Sequence, residues 1–247
     1  MIHKHTNLDY EKSIFLTFDI DWAHDDVIRE TIDILNAENV KATFFVTHDC
    51  DILCELRENK NFELGIHPNF DPSLNAESCS ESYTKVIDKM MQLVPEAKSV
   101  RSHALAQSTR MLIYYESCGL KIDANLYIPL SSGIICKPFA MWNNILRVPH
   151  FWEDDLELMA NDIDNYDISS FIDYEGIKVF DFHPLHVYMN NESIRRYERA
   201  RPHFHNIKEL SKLRNNGSDG ILCILNNLIR EAKKKNYTFR TLDELLT

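Results

Sequence analysis

Short β-rich segments alternate with amphipathic helical ones along almost the whole chain, and no other feature limits its possible folds as tightly. "SIFLTFDI" (13–20) concentrates β-branched and aromatic residues and reads as a strand. The following "DDVIRETIDILNAENV" sets Val27, Ile28, Ile32 and Leu35 at helical spacing behind Asp25 as N-cap. "KATFFVT" (41–47), "ELGIHP" (63–68), "SVRSHA" (99–104), "LKIDANL" (120–126), "NILRVPHF" (144–151) and "IKVFDFHPLHVYM" (177–189) read as further strands. Between them, "ILCELREN" (52–59), "SESYTKVIDKMMQLVP" (80–95) and "STRMLIYYESCG" (108–119) read as helices, the last stopped by Gly119. Residues 127–143 read as a loop and 190–216 as a charged surface excursion. A closing helix is expected over 217–236, then a strand turn or final helix in "TFRTLDELL". Repeated strand–helix alternation implies a parallel sheet or barrel with βαβ crossovers. With no repeat, linker or low-complexity tract, the 247 residues are expected to form one domain with its core at about 13–189.

Composition narrows the function classes. Hydrophobic residues at 44% and charged ones at 26% are ordinary for a globular chain. A formal net charge of −11 argues against a nucleic-acid partner, since phosphate binding needs clustered Lys and Arg. The basic run Lys233–Lys235 reads as a helix end matched to its dipole. Six cysteines (50, 54, 79, 118, 136, 223) form no CxxC and are expected to be reduced, mostly buried thiols. Cys50 and Cys54 lack the second pair that a thiolate zinc site needs. The start "MIHKHTNLDYEKS" has no apolar core and no stretch approaches a membrane span, so a cytoplasmic protein is expected.

In folds of this class, ligands gather at the carboxyl ends of the strands. Strand 13–20 runs into Asp19-Ile20-Asp21, and period-two alternation turns the two carboxylates to one side. Two such acids repel unless a cation or a shared proton lies between them. The third strand ends in His67-Pro68-Asn69 with Asp71 close behind, a nitrogen and oxygen set suited to a divalent metal such as zinc. The fourth carries Arg101, fit to orient a carboxylate or bind substrate, and then His103. His150 and Trp152 follow another strand, where a Trp at a pocket rim would stack on a sugar and a buried one would be core. In "VFDFHPLHVY", strand parity groups Asp181, His183 and Leu185 on one face and sends His186 to the opposite face or toward a helix, as structure. His183 suits a general acid.

Together these residues resemble the polysaccharide deacetylases of carbohydrate esterase family 4, the NodB-homology domain. Thr17-Phe18-Asp19-Ile20-Asp21 is similar to the family's T-F-D-D-G motif with one residue inserted, and "KATFFVT" to its second strand. "ELGIHPNFD" stands where the family has a metal-binding His and a second His four residues on, a position held here by Asp71. "SVRSH", "VFDFHP" and "TFRTLDELL" resemble its later motifs, so the likeness runs from residue 13 to 246. The departures resemble a divergent subgroup found in bacterial surface-polysaccharide (O-antigen) biosynthesis.

The resemblance implies an α/β fold, a distorted (β/α)7-type barrel, with a divalent metal, zinc being expected, held by an Asp and two His. It implies Asp19 as general base tethered by Arg101, His183 as general acid, and Asp21 and His67 as ligands. For the third ligand Asp71 fits the spacing, Asn69 is a weaker oxygen donor, and His103 could replace either. An oxygen-rich set would favour a harder ion. His103, His150, Trp152 and Asn69 are then expected to contact substrate. The implied reaction is hydrolytic removal of an N-acyl group, acetyl being expected, from an amino sugar that is a saccharide or is linked to a nucleotide or lipid.

Three alternatives stay open at this point. Asp19 and Asp21 could be the DxD of a haloacid-dehalogenase-type phosphatase, although Ala23 stands where Thr or Val is normal and Glu153–Asp155 is a poor late acidic pair. The missing second His could mark a non-catalytic saccharide-binding relic. A metal-independent relative acting on cyclic ureides is the third.

Overall fold

The computed structural model describes residues 8–71, 82–160, 167–217 and 219–247. Its strands are β1 (Ser13–Asp19), β2 (Ala42–Val46), β3 (Phe62–Ile66), β4 (Ser99–Val100), β5 (Ile122–Asp123), β6 (Phe139–Ala140), β7 (Leu146–Arg147), β8 (Trp152–Glu153), β9 (Lys178–Phe182) and β10 (Thr238–Arg240). They form one sheet in the order β6-β7-β5-β4-β3-β2-β1-β9-β8, with β10 paired to the first half of β1. All pairings are parallel except β6 with β7. This mixed sheet is strongly curled into a half-barrel. The expected α/β architecture of distorted-barrel type is therefore observed, open between β6 and β8.

Every residue of β1 is buried. It pairs with β9 on one edge and with β10 and then β2 on the other, and a parallel strand covered on both faces needs apolar residues at almost every position, which is why "SIFLTFD" hardly alternates. Phe18 stacks on Phe44 and Phe182, with ring centroids 5.1 and 5.8 Å away.

The helices are α1 (Asp25–Ala37), α2 (Ile52–Glu58), α3 (Tyr83–Leu93), α4 (Thr109–Ser117), α5 (Asp154–Ala160), α6 (Ser169–Ile172), α7 (Pro184–Met189), α8 (Ile194–Ala200), α9 (Ile207–Leu213) and α10 (Ile221–Lys234). α1 buries Val27, Ile28, Ile32 and Leu35 as their spacing predicts. Its N-cap is His24 rather than Asp25, with Nδ1 accepting from the Asp26 N–H. α10 buries Ile221, Ile224, Leu225, Leu228 and Ile229 and packs on α6 and α7. None of the described helices is long and apolar enough to cross a membrane.

Several expected strands are shorter than the sequence suggests. Expected strand 99–104 stops at Val100 and turns through the 3-10 segment His103–Leu105, where Ala104 and Leu105 are left-handed. The stretch 177–189 is strand only to Phe182, and Pro184 then opens α7 at a position where a missing N–H costs nothing. That break overturns the strand parity assigned beyond His183. The excursion 190–216 contains α8 and α9, and "TFRTLDELL" is both β10 and a 3-10 turn, Leu242–Leu246, with a capping box at Thr241. The start of the helix expected at 80, and Cys79, lie outside the described residues. The five described cysteines are free as expected, but only Cys136 is buried.

Near the start of β3, Glu63 accepts from the hydroxyls of Thr43 (2.7 Å) and Ser99 (2.7 Å) and from the Asp243 N–H (3.0 Å). One carboxyl thus ties β2, β3, β4 and the C-terminal turn. Burial, reinforced by Asp243, pushes its pKa from 4.5 to about 7. The folded chain then holds this proton over a range where the unfolded chain has lost it, so stability falls as pH rises from about 5 to 7. Denaturant titrations at pH 5 and pH 8 should show wild type losing on the order of 3 kcal/mol relative to Glu63→Gln over that interval.

Candidate active site

Arg101, just beyond β4, is fully buried. Its Nη1 donates to Asp19 Oδ1 (3.1 Å), to Thr17 Oγ1 (2.9 Å) and to Asp181 Oδ1, and its Nε donates to the Ala124 carbonyl (3.3 Å). The guanidinium also lies 4.7 Å from the centre of the Phe45 ring. Burial works against its charge, but Asp181, Asp19 and Glu153 outweigh that and raise its pKa further. Asp181 moves the other way for a carboxyl: burial, with Asp19 and Glu153, pushes it well up against the pull of Arg101.

The chain leaves β1 through a left-handed turn at Asp21 (φ 36°) and Trp22 (φ 55°). Ile20 stays buried, with its N–H on the Phe45 carbonyl. Asp21 therefore reaches the site through this turn and not through strand alternation. Its Oδ1 lies 3.2 Å from His67 Nε2 and 3.4 Å from His103 Nδ1, and its Oδ2 lies 3.6 Å from His183 Nε2. His67 Nδ1 faces Asp19 Oδ2 at 3.4 Å. Asp21 Oδ1 and both ring nitrogens of His67 are buried without a hydrogen-bond partner. Burial alone would raise the Asp21 pKa, but His103, His67 and His183 hold it well below the usual carboxylate range. The nearby Asp21 carboxylate raises the His103 pKa against its burial.

One oxygen and two ring nitrogens, from Asp21, His67 and His103, thus lie within 4.8 Å of one another. That donor set fits a borderline divalent ion such as zinc. Asp71 and Asn69 stand beside the group: the Asp71 N–H donates to Asn69 Oδ1, and Asp71 raises the His103 pKa from a distance.

His183 follows β9 and precedes Pro184. Its N–H donates to Asp154 Oδ2 (2.8 Å), its Nδ1 pairs with Asp154 Oδ1 (2.6 Å), and Nε2 is left toward Asp21. One turn along α7, His186 Nε2 meets Asp155 Oδ1 (2.7 Å), and its Nδ1 accepts from the Asn191 amide (2.7 Å). His186 thus joins the site, where strand parity had sent it to the opposite face. Burial disfavours the His183 imidazolium, but Asp155, Asp154 and Asp21 together raise its pKa well above 6.5. Asp154 is pushed up by burial, whereas His183 and His186 hold Asp155 down despite its burial. Glu153, Asp154 and Asp155 are site residues that strand ends alone did not point to; their signal is three successive acids at the end of a strand and the start of a helix.

His150 and Trp152 were expected at a substrate-contacting rim, and the structure puts both in the core. His150 is fully buried, paired with Glu153 at 3.2 Å, and burial lowers its pKa. Trp152 is fully buried against Phe180 and Phe182 (5.9 and 4.7 Å), with no face for a sugar.

Two cavities open beside the group and share Asp21, His103, Asp155 and His183. The inner one, about 310 Å³, reaches Asp19, His67 and Glu153. The outer one, about 380 Å³, is closed by Trp22, Tyr197 and Phe204. Both are within the size range of small-molecule sites.

Residues 16–201 match the model of the WbmS-like polysaccharide deacetylases. A candidate polysaccharide deacetylase of O-antigen biosynthesis from Bordetella bronchiseptica is 40% identical, with 89% of this chain and 90% of that one covered and a TM-score of 0.82. A family 4 carbohydrate esterase from Streptomyces lividans, in complex with acetate, is 12% identical over 94% of this chain and 93% of that one, with a TM-score of 0.52. A family 4 acetyl xylan esterase from Clostridium thermocellum, in complex with a cobalt ion, is 17% identical over 94% and 89%, with a TM-score of 0.50. These last two likenesses concern the fold. No curated protein matches the sequence.

Removing Arg101 would leave Asp19 and Asp181 facing each other in the core without their cation. Arg101→Met should lower unfolding free energy by about 3–5 kcal/mol in urea titrations, and adding Asp181→Asn should recover part of that loss.

Proposed function

The chain belongs to the WbmS-like polysaccharide deacetylases, and from that premise we propose that it is a metal-dependent hydrolase removing an N-acyl group, acetyl as the expected one, from an amino sugar. One observation carries this reading: unpartnered ligand atoms of Asp21 and His67 converge with His103 beside an Arg-held Asp19 and an Asp-held His183. Asp21, His67 and His103 would hold the metal, with zinc favoured by the two nitrogens, and Asp71 is left out of the set. His103 would take the part of the absent second His from a different element. The cobalt ion and the acetate in the two distant esterases agree with a metal-dependent deacylation. Family membership leaves the phosphatase alternative without support.

A divalent metal bound there supplies Lewis acidity toward the acyl carbonyl and toward water. Asp19 accepts the proton of the attacking water, its carboxylate aimed by the Arg101 bond to Oδ1 while Oδ2 faces the site. His183 delivers a proton from Nε2 to the departing nitrogen. Asp154, bonded to Nδ1, fixes the ring's tautomer and stabilises its charged form. The products are the free carboxylate and the sugar amine. By kinship with the O-antigen protein, the substrate is a precursor sugar of a surface polysaccharide linked to a nucleotide or lipid, handled in the cytoplasm.

Two measurements test the assignment. Metal titration of the purified protein should show more than about 100-fold loss of affinity in His103→Ala, beyond the range of an outer-sphere partner, with Asp71→Ala within about tenfold of wild type. Asp19→Asn should retain metal and lose about 10²–10⁴-fold in kcat for acetate release from an N-acetylated sugar. Unchanged turnover in that variant removes Asp19 from the mechanism.

A further inference from the structure

The stretch 195–205, "RRYERARPHFH", holds four arginines and two histidines in a chain of net charge −11. A solvated surface excursion does not require such a concentration of positive charge. Part of it forms the outer wall of the 380 Å³ cavity, through Tyr197, Arg201, Phe204 and His205. Arg201 is the sole permanent cation on that lining. Arg196 is paired with Glu192, whereas Arg201, the one arginine of the stretch that lines the cavity, has no ion-pair partner among the described residues.

The opposite wall carries Asp21 and Asp155 among His103, His183 and His186. Burial and Asp155 raise the Tyr197 hydroxyl, while His183 and Arg201 draw it down, so both walls act on one side chain in the cavity. Between the walls, Trp22 stands edge-on to His103 (5.2 Å), and Tyr197 stacks on His186 (4.9 Å) with Phe204 behind it (5.5 Å). Aromatic faces of this kind suit the C–H face of a sugar ring. A ligand carrying one anionic group is attracted to the outer wall by Arg201, which leaves its neutral N-acyl sugar toward Asp21.

We propose that Arg201, with His205, binds an anionic group carried by the substrate next to its N-acyl sugar, a phosphate or a carboxylate. This inference rests on the deacetylase reading for the reactive end and extends it to what the sugar carries. A phosphate would come from a diphosphate-linked donor and a carboxylate from an acidic sugar; both offer oxygens that a guanidinium fork takes in pairs.

The test is calorimetric titration of the full-length, metal-loaded protein with three probes. These are UDP-N-acetylglucosamine, the methyl glycoside of an N-acetylhexosaminuronic acid, and the neutral methyl glycoside of N-acetylglucosamine. At least one anionic probe should bind about tenfold tighter than the neutral one, and the probe that does so identifies the source of the charge. In Arg201→Gln the ratio should fall to about twofold or less, with part of it kept in Arg201→Lys. Equal affinity for all three probes, or an anionic advantage that survives Arg201→Gln, overturns the proposal. Arg201 is exposed, so a melting curve suffices to check that the variants fold. An anionic probe held through Arg201 but never deacylated upholds this site and counts against the deacetylase reading. Deacylation with no anionic preference does the reverse.

Discussion

A single guanidinium organises the centre of this protein. Arg101 is removed from water altogether, which is tolerable for an ion only when opposite charge and hydrogen bonds replace the lost hydration. It obtains them from Asp19 and Thr17 on β1, Asp181 on β9 and the carbonyl of Ala124 after β5. Those groups come from parts of the chain 80 or more residues away in three of the four cases. The bond that fixes the strands together also aims the Asp19 carboxylate.

Around this tie, the histidines and carboxylates are matched in pairs. His183 is held by Asp154 and His186 by Asp155, while Asp21 is shared by His67 and His103. The first two pairs have hydrogen-bond lengths; the last set has longer separations and buried atoms left without a partner. That contrast separates side chains already satisfied by the protein from those arranged around something else. Across the outer cavity Arg201 is the one permanent cation among the lining residues, set apart from the Asp21 group.

Much of this was legible in the sequence because parallel strands end where ligands bind. Asp19, Asp21, His67, Arg101 and His183 could each be located by finding the last residues of a strand. His103 was legible as a candidate but not as a member of the Asp21–His67 group, because left-handed Ala104 and Leu105 turn the chain there. The Glu153–Asp155 run begins on a strand of two residues, too short for periodicity to flag its end. His186 was misplaced because alternation was carried past Pro184, where a helix begins and residues three apart share a face. His150 and Trp152 were assigned to the rim on chemical type alone, which carries no information about depth.

The sequence by itself determined the alternation, the buried central strand and the chemistry available at each strand end, since those follow from local periodicity and residue type. Tertiary structure decided which of those groups meet. The left-handed turn at Asp21 and Trp22 absorbs the inserted Ile20 and swings the second carboxylate to two histidines from other strands. The parallel pairing of β8 with β9 delivers Asp154 to His183. No local rule fixes such meetings, because they depend on how separate parts of the chain pack and on which buried charges must find a partner.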